Sequence, residues 1–473
     1  MQDKVTVWWV RRDLRLSDNQ ALAAAQRLGK QVVPLFVVDP ALWHSPYAGP
    51  KRLTFLIDSL RQLDKVLQER GGRLVLRRGN PLAELRRLLR ETGATTVFAE
   101  EDVSPYARRR DAAVGAELDL RLFAGLTVHP PDLVRKSDGG PYSVFTPFSR
   151  VWRGLPYPSA VDLLPAPERI EVPAHLNSVS IPLPPAPPQT IIFPAGEEEA
   201  QRRLRQFVFG DQAPVLRYHL LRDLPAEDAT SGLSPYLRLG MISARQAVVA
   251  AREALMHTGD KDNRKGIETW INELIWREFY MSILYHFPQV RRGSFRKKTR
   301  SVAWENDPAK LRAWQNGLTG YPFVDAGMRQ LSQSGWMHNR VRMITASFLT
   351  KDLLINWQHG ERWFMQHLVD GDPSANNGGW QWVAGTGTDA APYFRIFNPV
   401  SQSKKFDPDG IYIRRWLPEL KHVPAKYFHE PWLMPPAVQQ EAGCFIGQHY
   451  PAPIVDHATA RKRALRAYRE VAD

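Results

Sequence analysis

The chain has 473 residues, 43% hydrophobic and 24% charged, with a formal net charge of +14 and one cysteine. That length and balance exclude a single small domain and leave room for two or three, each with its own core. The lone Cys444 excludes an internal disulfide framework and a four-cysteine zinc site, and the basic excess favours a polyanionic partner.

No signal-peptide pattern precedes the first strand, and no apolar run is long enough to span a bilayer. A cytoplasmic protein without a metal cluster is expected. From the N-terminus, Val5 to Val10 reads as a buried strand, followed by a helix near Asp18 to Leu28. Gln31 to Val38 is a second strand, and Lys51 to Glu69 a long helix. Arg73 to Leu76, a helix over Pro81 to Arg90, Thr95 to Ala99 and a helix over Arg108 to Leu118 complete the alternation. Such an order predicts an α/β domain with a parallel, doubly wound sheet over residues 1–130. Arg11, Arg12, Asp13, Glu101 and Asp102 follow strands and fall at the carboxyl edge, where ligands of such sheets bind. No Gly-x-Gly-x-x-Gly follows the first strand, so the ordinary dinucleotide fingerprint is absent.

Prolines then recur from Pro156 to Pro188 with little helical periodicity, and residues 131–197 read as a Pro-rich connector. Residues 198–473 read as an all-α domain, with helix-length patterns at Glu198 to Phe207, Ser243 to Met256, Lys265 to Tyr285, Phe323 to Ser334 and His338 to Ile355. A final short helix is expected near Thr459 to Glu470.

Several clusters in this second half could carry chemistry. Thr230-Ser231-Gly232-Leu233-Ser234 places hydroxyls and amides at a helix start, which suits a diphosphate. Taken alone, an ordinary Ser/Thr cap is the commoner explanation. Trp270, Glu273 and Trp276 share one face of a helix, with Arg277 beside them; a carboxylate between two indoles needs a partner. Glu273 is either a salt-bridged core residue or a hydrogen-bonding group for a substrate. Asn339 and Met343 share another face, flanked by Arg340 and Arg342. Trp336 to Arg340, Trp357, Asp370-Gly371-Asp372 and Asn376 to Trp382 concentrate indoles, carboxylates and amides. These fit either a Trp-rich core or the walls of a pocket for a planar cofactor and unstacked nucleobases.

Taken together, these motifs resemble the photolyase and cryptochrome family, and within it the class I cyclobutane-pyrimidine-dimer branch. The resemblance runs over nearly the whole chain. It is carried by Trp9 to Arg15, Thr230 to Leu237, Trp270 to Tyr280, Gly335 to Phe348 and Asp370 to Trp382. It implies light-driven repair of pyrimidine dimers in UV-damaged DNA by a monomeric, FAD-dependent carbon–carbon lyase. By the same resemblance Tyr218, Thr230, Ser231, Gly232, Leu233, Ser234 and Trp270 hold the folded FAD, with Arg342, Asp370, Gly371, Asp372 and Asn376. Arg342 is expected to pair with Asp370. Arg222, Glu273, Trp276, Arg277, Tyr280, Asn339, Arg340, Met343, Trp382 and Gln402 fall to the flipped dimer and its phosphates. Trp380, Trp357 and Trp304 match an electron-hopping series. Asn376 stands where plant-type cryptochromes carry aspartate, and Asn339 and Met343 where (6-4) photolyases carry histidine. Both points favour dimer repair over the alternative, a cryptochrome-type blue-light receptor.

Two departures from the family stand out. Gly232 replaces an arginine that some members use at the cofactor phosphate. Pro46 and Ala107 stand where folate-binding relatives carry histidine and glutamate, whereas Asp102 to Asp111 is more similar to deazaflavin binders. The resemblance therefore implies an 8-hydroxy-5-deazaflavin antenna beside Asp102, ahead of methenyltetrahydrofolate, with flavin mononucleotide or no antenna as the second alternative.

Overall fold

The computed structural model describes residues 4–185 and 193–471; Pro187 and Pro188 of the expected connector lie outside the described residues. Five strands form one sheet in the order β3-β2-β1-β4-β5, every pair parallel. They are β1 (Val5–Val10), β2 (Gln31–Val38), β3 (Val75–Arg78), β4 (Thr96–Glu100) and β5 (Asp119–Phe123). β1 sits at the centre because its apolar run is unbroken: Val7, Trp8, Trp9 and Val10 are all buried, as a strand covered by helices on both faces must be. The expected α/β domain with a parallel sheet is present. β5 was not foreseen. It is a half-exposed edge strand, Asp-Leu-Arg-Leu-Phe, and carries no continuous apolar run.

Caps explain most boundary differences. Ser104 accepts the amide of Ala107 and Pro105 occupies the first turn, so that helix starts at Pro105 rather than Arg108. Asn19 and Asn80 cap Gln20–Leu28 and Pro81–Thr92 in the same way.

The second half is helical, built around the 26-residue helix Lys261–His286. The stretch read as one helix from His338 to Ile355 is instead Asn339–Ser347 followed by a π-turn, Phe348–Asp352. The wider turn carries buried polar groups outward to partners. Thr350 bonds the Ala346 carbonyl, Lys351 the Ala384 carbonyl (3.0 Å), and Asp352 faces His457 (2.5 Å).

Residues 131–197 contain a helix, Phe145–Gly154, that docks on the long helix. Trp152 donates its indole N–H to Glu278 Oε2 (2.7 Å), Phe148 meets Phe279 edge-on, and Phe145 stacks on Trp276 at 3.7 Å between centroids. Glu278 also accepts the backbone amides of Val128 and His129. Burial pushes its pKa up, opposed by those donors. One buried carboxylate thus fastens the chain that leaves the sheet to the core of the helical half. Glu278→Ala strands three buried donors and should cost about 3 kcal/mol of stability. Urea denaturation followed by tryptophan fluorescence measures it; an unchanged midpoint would mean the donors find other partners.

Candidate cofactor and substrate site

Three helices converge beside this core: Lys261–His286, Asn339–Ser347 and Pro373–Ala384. The third begins with Asp372 as cap and proline in the first turn, and ends at Gly385 in the left-handed region. Its approach to the long helix is set by Gly378, where a Cβ would lie 2.1 Å from the ring of Tyr280. On its other side Trp380 packs edge-on against Phe364 (4.9 Å) and Trp314 (6.1 Å). Gly360 makes room for it: a Cβ there would stand 2.1 Å from the Trp380 ring. Asn376 donates its side-chain N–H to the Glu361 carbonyl (2.9 Å), which fixes the amide and leaves its oxygen as the remaining polar end.

Charged groups line the same region in pairs. Arg222 binds Glu273 through Nη1 and Oε1. Burial raises the Glu273 pKa, and Arg222 only partly offsets it. Arg340 pairs with Asp223 (2.7 Å). Arg342 pairs with Asp370 (2.9 Å), as expected, and donates to the Met337 carbonyl (2.7 Å). His338 caps the helix that presents Asn339, Arg340 and Met343 by accepting the Arg340 amide. Asn339 is exposed there, while Met343, Trp382 and Gln402 are half-buried.

The turn Thr230 to Ser234 opens the short helix Ser234–Leu239, which has no side-chain cap. Gly232 has φ +59, and a Cβ there would meet Nη1 of Arg203 at 2.9 Å. Arg203 comes from the helix Glu197–Val208, aligned by Glu199 (2.8 Å), with its guanidinium over Phe193 and Tyr236. The turn thus gains a guanidinium from elsewhere in the chain, a contribution that motif reading at position 232 missed. Tyr218 and Trp270 each meet the Phe207 ring edge-on, at 5.8 and 5.1 Å.

Other candidates are spoken for differently. Arg277 does not face the cleft with Glu273; it donates to the Leu126 and Leu237 carbonyls, because its helix turns that position into the seam between the two halves. Trp276 has one face covered by Phe145. Both oxygens of Asp372 are engaged: Oδ1 caps Ser374 and Ala375, and Oδ2 accepts from Arg12 (2.7 Å). Arg12 also reaches Asp102 (3.3 Å), and Arg238 bonds the Gly371 carbonyl (2.8 Å). Burial raises the Asp372 pKa, but Arg12 and then Arg238 outweigh it, holding the carboxyl well below its usual range. Asp102 lines a separate cleft of about 740 Å³ at the carboxyl edge of the sheet, with Trp9, Trp43, Tyr106, Arg109 and Arg110.

Trp380 and Trp357 are each 2% exposed, whereas Trp304 is half-buried, which grades the three indoles from core to surface. No ring contact joins them directly among the described residues.

These residues fit a folded flavin nucleotide. Asp370 Oδ1, His338 Nε2, Arg340 Nε and Trp380 Nε1 are buried without partners among the described residues, and native proteins rarely leave such atoms unpaired. Hydroxyls at Thr230, Ser231 and Ser234, with the Arg203 guanidinium, form an anion-binding donor set.

Comparison with known proteins agrees. Residues 6–168 match the family described as DNA photolyase, and residues 270–470 match the FAD binding domain of DNA photolyase. The chain is 42% identical to a deoxyribodipyrimidine photo-lyase of Synechococcus, over 98% of this chain and 96% of that one. A bacterial class III photolyase structure from Agrobacterium tumefaciens superposes with a TM-score of 0.93 at 40% identity, covering 100% of this chain and 98% of the other. An archaeal photolyase from Sulfolobus tokodaii, described with two FAD molecules and a novel light-harvesting cofactor, gives 0.83 at 30% identity, covering 98% and 100%.

Because its folded pKa is depressed, Asp372 contributes stability in full above the ordinary carboxylate pKa of 3.8; the contribution is lost as pH falls through the folded value. Arg12→Ala should cost about 3–5 kcal/mol at neutral pH by stranding buried carboxylates. Its melting temperature should change less than that of the parent between pH 6 and pH 3, by roughly the linkage arithmetic. Parallel pH–melting curves for the two proteins would show that the seam is not ionised as described.

Proposed function

Since the chain belongs to the DNA photolyase family, we propose that it is a deoxyribodipyrimidine photo-lyase, splitting cyclobutane pyrimidine dimers in UV-damaged DNA under light. Bound FAD supplies the photochemical one-electron step. The protein's part is to bind, orient and exclude water. The observation that carries this reading is the pairing of Glu273 with Arg222 next to the helix of Asn376 and Trp380. Burial pushes the Glu273 pKa upward against the pull of Arg222, and its carboxyl group is placed to exchange hydrogen bonds with the polar edge of a flipped base. Arg222 and Arg340, each held by a carboxylate, offer N–H groups to phosphates of the flanking strand. Asn339, Met343, Tyr280, Trp276 and Trp382 form the apolar and amide walls, and Gln402 stands on the rim.

For the cofactor, we assign Tyr218, Trp270, the Thr230 to Ser234 turn and Arg203 to the diphosphate side, and Arg342, Asp370 and Asn376 to the ring side. Asp370 brings an unpaired oxygen and Asn376 a fixed amide. Gly371 and Asp372 act through the backbone turn they build. Trp380, Trp357 and Trp304 offer a route by which an electron moves from solvent to the interior.

Asn339, Met343 and Asn376 support a class I enzyme over a light sensor, acting as a monomer, with unit boundaries near residues 130 and 197. The cleft holding Asp102 suits a second planar chromophore, for which 8-hydroxy-5-deazaflavin is our assignment.

Glu273→Ala should lower repair at least tenfold, about the worth of one charge-assisted hydrogen bond, while FAD content stays near that of the parent. Glu273→Gln, a neutral isostere, should retain more repair than the alanine variant. Equal loss of repair and of FAD would remove Glu273 from the substrate site. Arg203→Ala should weaken FAD retention about tenfold, measured by cofactor release on dilution; unchanged retention would leave Arg203 a structural residue only.

A further inference from the structure

A second, smaller pocket of about 330 Å³ opens where the graded indoles reach the surface. Trp304 and Trp357 both line it, and its remaining wall is polar: Arg292, Arg300, Ser294, Thr299, Asn356, Gln358 and Gln289. Among the described residues, no acidic side chain lines it. Arg300, an exposed residue, donates Nε to the Ser294 carbonyl (3.0 Å), which orients its guanidinium along the wall of the pocket. The Arg292 carbonyl is tied to Gln358 (3.3 Å), so the loop that carries both arginines is pinned to the helix that starts at Trp357. The result is a cationic rim of two exposed arginines over two indoles, with hydroxyl and amide groups between them. Neither the flavin site nor the dimer site uses these polar residues.

We propose that this pocket binds a small anionic one-electron donor of the enediolate class and delivers its electron to Trp304. The proposal rests on the reading of Trp380, Trp357 and Trp304 as an electron route. When light has drawn an electron inward, Trp304 is left as an indole radical cation. The bound enediolate gives up one electron, and its remaining hydroxyl proton passes to solvent. The indole returns to its neutral closed-shell form, and no bond to the protein is made or broken. The chemistry of the walls selects the donor. Two guanidinium groups attract an anion and bond its oxygens. The hydroxyl and amide groups match a polyhydroxylated ligand. A donor bound against the indole replaces a diffusional encounter with a preformed contact.

The test uses the FAD-loaded protein in its oxidised state, with ascorbate as the probe. The initial rate of flavin reduction under blue light should saturate with ascorbate concentration. It should respond linearly to dithiothreitol, a neutral donor. Arg300→Ala and Arg292→Ala should each raise the half-saturating ascorbate concentration about tenfold, the loss expected for one charge-assisted hydrogen bond, and leave the dithiothreitol response unchanged. Calorimetry in the dark should register ascorbate binding to the parent and its weakening in both variants. A rate linear in ascorbate, or variants indistinguishable from the parent in both readouts, would overturn the proposal. Trp304→Phe separates the two readings. If it photoreduces as fast as the parent, the electron route fails. If it blocks photoreduction while the parent's ascorbate response is linear, only the donor pocket fails.

Discussion

The buried ion cluster of Arg12, Asp102, Asp372 and Arg238 is the constraint on which the rest of the molecule depends. Arg12 follows β1, the central strand of the sheet, and Asp372 caps the helix that carries Asn376 and Trp380. Taking these charges out of water is costly, so the pairing has to be close to complete before it stabilises anything. That requirement makes the seam discriminating. Burial and the neighbouring Arg12 push the Arg238 guanidinium down to about 9, a sign of how crowded with positive charge the seam is. The two halves are therefore held at one spacing, and the helix bearing the site starts from a fixed point. The Glu278 network does the same from the other side of the long helix, using a carboxylate with neutral donors instead of an ion pair.

Within that frame the site is built from close approaches. Gly378 against Tyr280 and Gly360 against Trp380 let large aromatic rings lie where a methyl group would otherwise stand. Tight packing of this kind fixes ring positions to fractions of an ångström. Beside that packing, polar atoms of Asp370, His338, Arg340 and Trp380 are buried without partners among the described residues. The charged pairs beside it are built differently. Arg222 and Arg340 each have a carboxylate partner within the protein, which orients both guanidinium groups in the folded chain.

Much of this was legible in the residues alone. The alternation of apolar strands and amphipathic helices determined the parallel sheet, because a strand buried on both faces has to be apolar throughout. The spacing of Trp270, Glu273 and Trp276 put three groups on one helical face. The long motifs identified the family, and Arg342 with Asp370 was correctly expected as a pair. Local signals of this sort survive folding because they depend on neighbours in sequence.

What only the tertiary structure decided involves partners far apart in the chain. Arg203 reaches Gly232 across 29 positions and Arg12 reaches Asp372 across 360, separations at which nothing local reports a contact. Arg277 shares a helix with Glu273 yet bonds Leu126 and Leu237, since which face of a helix meets which neighbour is set by packing and not by periodicity. β5 and the docked helix Phe145–Gly154 escaped notice for the same reason: their stability comes from the surfaces they cover. Sequence determined the elements and the chemical inventory of the site; long-range burial of charge and aromatic rings decided which of those groups face one another.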